Sequence, residues 1–87
     1  MAPTIGRIVH FHPNEFDRLD IQRIANGNTI QPGDAVPAMI VKVWGPECVN
    51  LKLITDGRND VWKTSMVFRE AAQPGSSFWD WPAIVAG

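Results

Sequence analysis

Residues 36–68 read VPAMIVKVWGPECVNLKLITDGRNDVWKTSMVF, and this stretch decides the fold class. It holds three apolar-rich runs, at residues 36–44, 49–56 and 61–68, which are separated by the turn-forming segments GPE and DGRND. Runs of this length between clusters of Gly, Pro, Asp and Asn are typical of strands joined by short turns. We therefore predict three consecutive strands in an antiparallel arrangement.

Alternation of residue types assigns a face to each position, because successive side chains of a strand point to opposite sides. The first run is apolar on both faces apart from Lys42, which predicts a central strand covered on both sides. In the second run the inward positions are apolar: Val49, Leu51 and Leu53. The third run places alternate residues on one face: Trp62, Thr64, Met66 and Phe68. In the turn before it, Gly57 is expected to supply a positive φ.

Residues 4–12, TIGRIVHFH, form another predicted strand upstream of these three. Its odd positions Val9 and Phe11 are apolar, whereas His10 lies on a semi-polar face. Pro13 ends the strand because proline cannot donate to a ladder.

Residues 14–33 form a long excursion whose structure the pattern leaves open. Asn14 followed by Asp17 is a suitable start for a short helix that ends at Gly27. The inward residues of that helix would be Phe16, Leu19 and Ile24. Against the helix, Asn26-Gly27 is a strong hairpin signal. We favour the helix slightly, and the hairpin stays open.

Residues 71–87 form a tail that contains Phe78-Trp79-Asp80-Trp81-Pro82. In so short a chain, these aromatic residues must pack on the sheet, on another subunit or around a ligand. A strand, a long excursion and further strands with short turns predict a mainly β fold. We expect one domain, residues 1–87, built as a small SH3-like barrel or a strongly bent antiparallel sheet of about four to six strands with one short helix or hairpin excursion.

Composition narrows the classes of partner. A domain of 87 residues has a small core, and its single cysteine, Cys48, excludes a disulfide. Self-association remains as a source of stability, so we expect a homo-oligomer. The net charge is −1 with no run of Lys or Arg, which disfavours duplex nucleic acid, whereas a small anionic ligand remains open.

The setting predicted from the sequence is the cytosol. No apolar stretch approaches the roughly 20 residues that span a bilayer. The opening residues Met1-Ala2-Pro3-Thr4 lack the pattern of a signal peptide. A lone thiol fits a reducing compartment, and we expect no contact with a membrane.

Catalytic and metal-binding patterns are weak, so we predict that the protein is not an enzyme and uses no cofactor or metal. His10 and His12 share a face but lack a recognisable third ligand. Ser65 is not in a Gly-x-Ser-x-Gly context. The turn at residues 56–60 lacks the closing glutamate of a calcium loop.

The chain has four tryptophans and no tyrosine, which draws attention to stacking surfaces. Trp44 ends the most apolar run and is expected in the core. Trp62 is followed by hydrogen-bond donors, and Trp79 and Trp81 share a face if the tail is extended. These last two either cover an open end of the barrel or line a pocket. The predicted ligand-binding residues are Arg7, His10, Asn50, Trp62, Lys63, Thr64, Ser65, Trp79 and Trp81.

A set of motifs in fixed order covers most of the chain. They are IGRIVH at residues 5–10, VPAMIVxVW at 36–44, VNLxLxxDGxND at 49–60, WxTS at 62–65 and WxWP at 79–82. The set resembles a recurrent group of short, mostly uncharacterised phage and prophage proteins, in which the 14–33 excursion looks like a variable insertion. The resemblance implies a viral protein in the cytoplasm of a bacterial host.

Two functions are expected of such a protein. One is a counter-defence sponge, an oligomer that sequesters a nucleotide-type immune signal such as a cyclic dinucleotide or an ADP-ribose derivative. The other is a virion or adaptor protein whose SH3-like barrel contacts another protein. We favour the sponge, because the Trp62–Ser65 segment combines an aromatic plane with hydroxyl and cationic donors.

Overall fold

The computed structural model describes residues 2–70 and 75–82, and these form one curled sheet with one helix. The elements are β1 (Ile8–His12), α1 (Glu15–Ala25), β2 (Val36–Val43), β3 (Cys48–Leu53), β4 (Val61–Val67) and β5 (Phe78–Asp80). The strands pair antiparallel in the order β4-β3-β2-β1-β5. The predicted mainly β fold, a small bent sheet with one short helix, is therefore confirmed. The 71–87 tail lies partly outside the described residues, at 71–74 and 83–87.

The sheet curls until its two outer strands approach each other. Just beyond β4, Phe68 forms an isolated parallel bridge with Trp79 of β5. The backbone N–H of Arg69 donates to the carbonyl of Trp79 at 3.1 Å. The result is a half-barrel whose two edges meet at Phe68, Arg69 and Trp79. We call this place the closure corner.

The concave side of the sheet holds the core. Its buried cluster is Val9, Phe11, Ile21, Val36, Ala38, Ile40, Val49, Leu51, Leu53, Val61 and Trp79. Each buried aliphatic side chain of this kind stabilises the fold by about 1.5–3 kcal/mol. The expectation that β2 is covered on both faces is wrong, because Met39 and Val41 are exposed on the convex side. Within residues 2–70 and 75–82, the core packs against the concave face, so alternate residues of β2 remain at the surface.

Helix α1 begins and ends with asparagine. The side-chain Oδ1 of Asn14 accepts the backbone N–H of Asp17 at 2.8 Å, as expected for an N-cap. At the other end Asn26, and not the predicted Gly27, adopts the left-handed conformation with φ of 52°. The helical alternative for the excursion is thus confirmed, and its stop lies one residue earlier than predicted.

The face that α1 turns to the sheet differs from the predicted one. Ile21 and Ala25, one turn apart, are buried. Phe16 and Leu19 lie on the opposite side of the helix, and Phe16 is 77% exposed. The predicted inward positions of Phe16 and Leu19 are therefore wrong, whereas Ile24 does pack against the core.

Two glycines allow the end of α1 to touch the β3–β4 turn. Gly27 and Gly57 form an isolated bridge. A Cβ on Gly27 would lie 2.1 Å from the carbonyl oxygen of Asp56, and one on Gly57 would lie 2.5 Å from that of Ala25. Gly57 does not have the predicted positive φ. It is required here for close backbone approach.

Within residues 2–70 and 75–82, helix α1 has 11 residues and is not long enough to cross a membrane.

Candidate functional site

A bulge in β4 determines which side chains meet on the convex side of the sheet. The register between β3 and β4 shifts between Val49 and Leu51, so Thr64 and Ser65 together oppose Asn50. Ser65 takes a φ of 58°, which is uncommon for a residue other than glycine. The extra residue reverses the alternation for the rest of the strand.

This reversal overturns the prediction that four alternate residues of β4 share a face. Trp62 lies opposite Lys52 on the convex side, and Thr64 follows it there. Met66 and Phe68, beyond the bulge, pack against the core. The residue types give no sign of this change, because position 65 holds a serine, whereas a positive φ is usually found at glycine.

Asn50 connects the bulge to its surroundings. Its Oδ1 accepts hydrogen bonds from Trp44 Nε1 at 2.9 Å, Thr64 Oγ1 at 3.0 Å and the backbone N–H of Ser65 at 2.8 Å. Asn50 points to the convex side but is only 7% exposed. The side chains of Trp44 and Thr64 cover it. All three hydrogen bonds are made to Oδ1 and none to the Nδ2 amide group.

Trp44 lies on the convex surface and not in the core, so that prediction is wrong. Its side chain is 61% exposed. The preceding residue, Val43, pairs with the buried Val49, and alternation therefore sends Trp44 outward. The Nζ atom of Lys42 lies 5.1 Å from the centre of its ring, within the range of a cation–π contact.

Trp62 belongs to a row that crosses four strands. Ile8 of β1 is opposite Met39 of β2, Met39 is opposite Lys52 of β3, and Lys52 is opposite Trp62 of β4. Trp62 is 59% exposed, and Ile8 and Met39 are exposed as well. Convex-side residues in or directly after β2, β3 and β4 thus combine indole rings, ammonium groups and a hydroxyl. We call them the tryptophan face: Lys42, Trp44, Asn50, Lys52, Trp62 and Thr64.

Three other predicted site residues lie together at the closure corner. Trp79 is 1% exposed, and its Nε1 donates to the carbonyls of Glu47 at 3.0 Å and Met66 at 3.2 Å. Trp81 packs edge-on against it with ring centres 5.3 Å apart. The guanidinium carbon of Arg7 lies 5.3 Å from the centre of the Trp81 ring. Arg7, Trp79 and Trp81 thus form a group of their own.

The remaining two predicted residues have other surroundings. Lys63 lies opposite the buried Leu51, and its Nζ is 3.4 Å from Asp17 Oδ1 on α1. Because it is next to Trp62 in a strand, it points to the other side of the sheet. His10 is half-buried in β1, between Asp80 of β5 and Pro37 of β2 in the register.

The structure therefore brings Asn50, Trp62, Thr64 and Ser65 together and adds residues that sequence reasoning missed. Lys42 and Lys52 are the missed cations, and Trp44 is the missed aromatic residue. A signal for Lys52 was present, since it alternates with Asn50 on the polar side of β3. Bulges in β2 and β4 hide the rest from a simple two-residue period.

Aromatic rings next to ammonium groups suit a ligand that is planar and negatively charged. Among residues 2–70 and 75–82, no group of three or more His, Cys, Asp and Glu side chains is placed to hold a metal ion. The tryptophan face itself carries no carboxylate, so phosphate would meet no like charge there.

Comparisons with known protein families, curated proteins and solved structures found no match to this chain. The resemblance to short phage proteins stays a prediction.

Proposed function

We propose that this is a non-enzymatic binding protein that holds a planar, anionic ligand of the nucleotide type on its tryptophan face. The observation that supports it best is the position of Trp62, an exposed indole directly opposite Lys52 on the same side of the sheet. Stacking of a base on an aromatic side chain contributes about 1–3 kcal/mol. An ammonium group beside the ring suits a phosphate.

The second indole of the face is held in place before any ligand arrives. Trp44 is fixed through its N–H by Asn50, and Asn50 is fixed in turn by the bulge. A side chain that is already ordered loses little conformational entropy on binding. This order supports a role for Trp44 as a rigid wall next to the more exposed Trp62.

An open sheet face encloses only one side of a small ligand, whereas ligand sites usually bury about 70–90% of it. We propose that a second copy of the chain supplies the other wall. Ile8 and Met39, exposed beside Lys52 and Trp62, offer apolar contact area for such a homo-oligomer. The site would then be complete only in the assembly.

In the same proposal, the ligand is an immune signal such as a cyclic dinucleotide or an ADP-ribose derivative. The protein would act as a phage counter-defence sponge in the cytoplasm of the bacterial host. The phage setting is supported by the sequence motifs alone, whereas the ligand class is supported by the residues of the tryptophan face.

Calorimetric titration with a panel of cyclic dinucleotides and ADP-ribose derivatives tests the proposal. We expect Trp62→Ala to weaken binding by roughly fivefold to 150-fold, the range that corresponds to one stacked base. Trp44→Ala should weaken it less, because part of that ring covers Asn50. Phe16→Ala is the matched control, since it removes an exposed aromatic residue from α1 and should leave the affinity unchanged.

Two results would contradict the proposal. One is the absence of heat across the whole panel at protein concentrations where the oligomer is populated, as checked by sedimentation. The other is a chemically changed nucleotide after incubation, detected by mass spectrometry, which would make the protein an enzyme.

An adaptor or virion protein is the second candidate, and the apolar part of the convex side favours it. Ile8, Met39 and Trp62 are the apolar members of the exposed row that also contains Lys52, and they suit a protein partner as well as a second copy. Mass spectrometry of purified phage particles would detect the protein if this candidate is right. Its absence from particles would exclude a virion role.

A further inference from the structure

The closure corner contains a cleft that is separate from the tryptophan face. Its volume is about 270 Å³. It is lined by the following residues: Pro46, Glu47, Phe68, Glu70, Trp79 and Trp81. Aromatic rings and carboxylate-bearing residues therefore meet in one concave place, where β4 and β5 come together.

The aromatic rings of this cleft stand at large angles to one another. The rings of Phe68 and Trp79 are 5.1 Å apart and tilted by 57°. Trp81 stands at 84° to Trp79. Trp79 is fixed by its two hydrogen bonds to backbone carbonyls, so it holds its neighbours in position. Rings arranged in this way make a concave wall and not a flat stack.

The charges around the cleft favour a ligand with positive charge. The face of an aromatic ring carries partial negative charge and attracts cations. Glu47 and Glu70, both exposed, add carboxylates at the same place, which disfavours phosphate. Trp81 already has the guanidinium of Arg7 over its ring, 5.3 Å from the centre. Trp81 thus already makes one contact of the kind that a lysine ammonium group makes with an aromatic ring.

Two arginines also lie at this corner and affect its balance of charge. Arg7 contacts Trp81, and Arg69 donates from Nη1 to the carbonyl of Phe68 at 2.9 Å. The corner therefore holds two positive groups as well as two carboxylate-bearing residues, and as a whole it is not strongly acidic. A corner with this balance of charge suits a single cation inside the aromatic wall better than a broad basic surface.

We propose that this cleft binds a single lysine side chain presented by a partner protein. Lysine combines an unbranched apolar stem with a compact ammonium group. The stem would lie along Phe68 and Trp81 while the ammonium group meets Glu47 or Glu70. The site takes a cation, so it goes beyond the anionic ligand proposed for the tryptophan face and does not depend on it.

The probes for this proposal are two short peptides, acetyl-Gly-Lys-Gly-amide and its norleucine counterpart, which keeps the stem but lacks the charge. Indole N–H signals in ¹⁵N-labelled protein report each tryptophan separately. We expect saturable shifts of the Trp81 signal with the lysine peptide and much smaller ones with norleucine. The signals of Trp44 and Trp62 should stay in place.

Variants locate the site more sharply. Glu47→Gln and Glu70→Gln should each weaken binding of the lysine peptide by about twofold to fivefold, as expected for exposed charge pairs. Trp81→Leu should weaken it by at least about fivefold, and Trp81→Phe should restore part of the loss. Trp62→Ala should have no effect. Circular dichroism establishes that each variant is folded.

The proposal is overturned if the Trp81 signal does not move up to millimolar peptide. It is also overturned if norleucine causes the same shift, because the cleft would then be merely apolar. Neither result would affect nucleotide binding on the tryptophan face, so the two proposals can fail separately.

Discussion

Trp79 and Trp44 both donate their indole N–H to an oxygen of the protein, but only Trp79 is buried. Trp79 is 1% exposed and bonds the backbone carbonyls of Glu47 and Met66. Trp44 is 61% exposed and bonds the side chain of Asn50 on the convex side. A satisfied N–H therefore does not determine burial. The side of the sheet on which the residue lies does, since Trp79 packs into the core and Trp44 lies on the convex surface.

The largest effect that separates the two indoles is expected for Trp79→Ala. Removing this ring should lower the free energy of unfolding by about 3–5 kcal/mol, because it leaves a cavity next to Phe68 and Trp81. Urea unfolding followed by far-UV circular dichroism measures it. Trp79→Phe keeps part of the packing, so its free energy of unfolding should lie between those of the unchanged protein and Trp79→Ala. A loss below about 1 kcal/mol would show that the closure corner does not hold the half-barrel together.

The next largest loss of stability is expected at Asn50, because its side chain joins Trp44 to the bulge. Asn50→Ala removes the acceptor of three hydrogen bonds and should cost about 1–3 kcal/mol in the same measurement. Asn50→Asp is the control, because a carboxylate oxygen can still accept from all three donors and should restore most of the stability. Equal losses in both variants would contradict this role, because aspartate keeps both the shape of the side chain and the acceptor oxygen.

Trp44→Ala should have a smaller effect, near 1 kcal/mol, because one hydrogen bond and only partial burial are lost. Trp44→Phe helps to separate the two contributions, since it keeps an aromatic ring over Asn50 but removes the five-membered ring that carries the N–H. Thermal unfolding at several protein concentrations is the measurement. A loss as large as that of Trp79→Ala would remove the distinction between the buried and the exposed indole.

Trp62→Ala should have the smallest effect on the protein without ligand, within about 0.5 kcal/mol, since its ring is exposed on an outer strand. Urea unfolding at low protein concentration is the measurement. A much larger loss that grows with protein concentration would instead place Trp62 inside an interface between copies. The tryptophan face would then be partly covered before any ligand binds.

Most of the fold could be predicted from the sequence because period-two alternation is a strong signal where strands are regular. In β3 the predicted inward positions Val49, Leu51 and Leu53 are confirmed. In β4 the alternation fails after Thr64, because Ser65 adopts a backbone conformation that its residue type does not indicate. Helix α1 was signalled by its cap at Asn14, but its apolar residues span too wide an arc to reveal which of them face the sheet.

Less of the candidate site could be predicted. Proximity along the chain grouped Lys63 with Trp62, although adjacent residues of a strand point to opposite faces. The pairing that places Lys52 opposite Trp62 depends on the register between two strands, which a bulge shifts. Whether Trp79 or Trp81 is the more buried depends on how the sheet closes on itself, and local sequence carries no information on that.

The left-handed Ser65 has a consequence for how copies of the protein can associate. β4 is an outermost strand, so its free backbone groups would be open to an added strand from another molecule. A bulge twists and interrupts the straight ladder that such an addition requires. A strand added at this margin would lose regular pairing at Ser65, which disfavours growth of one sheet into the next.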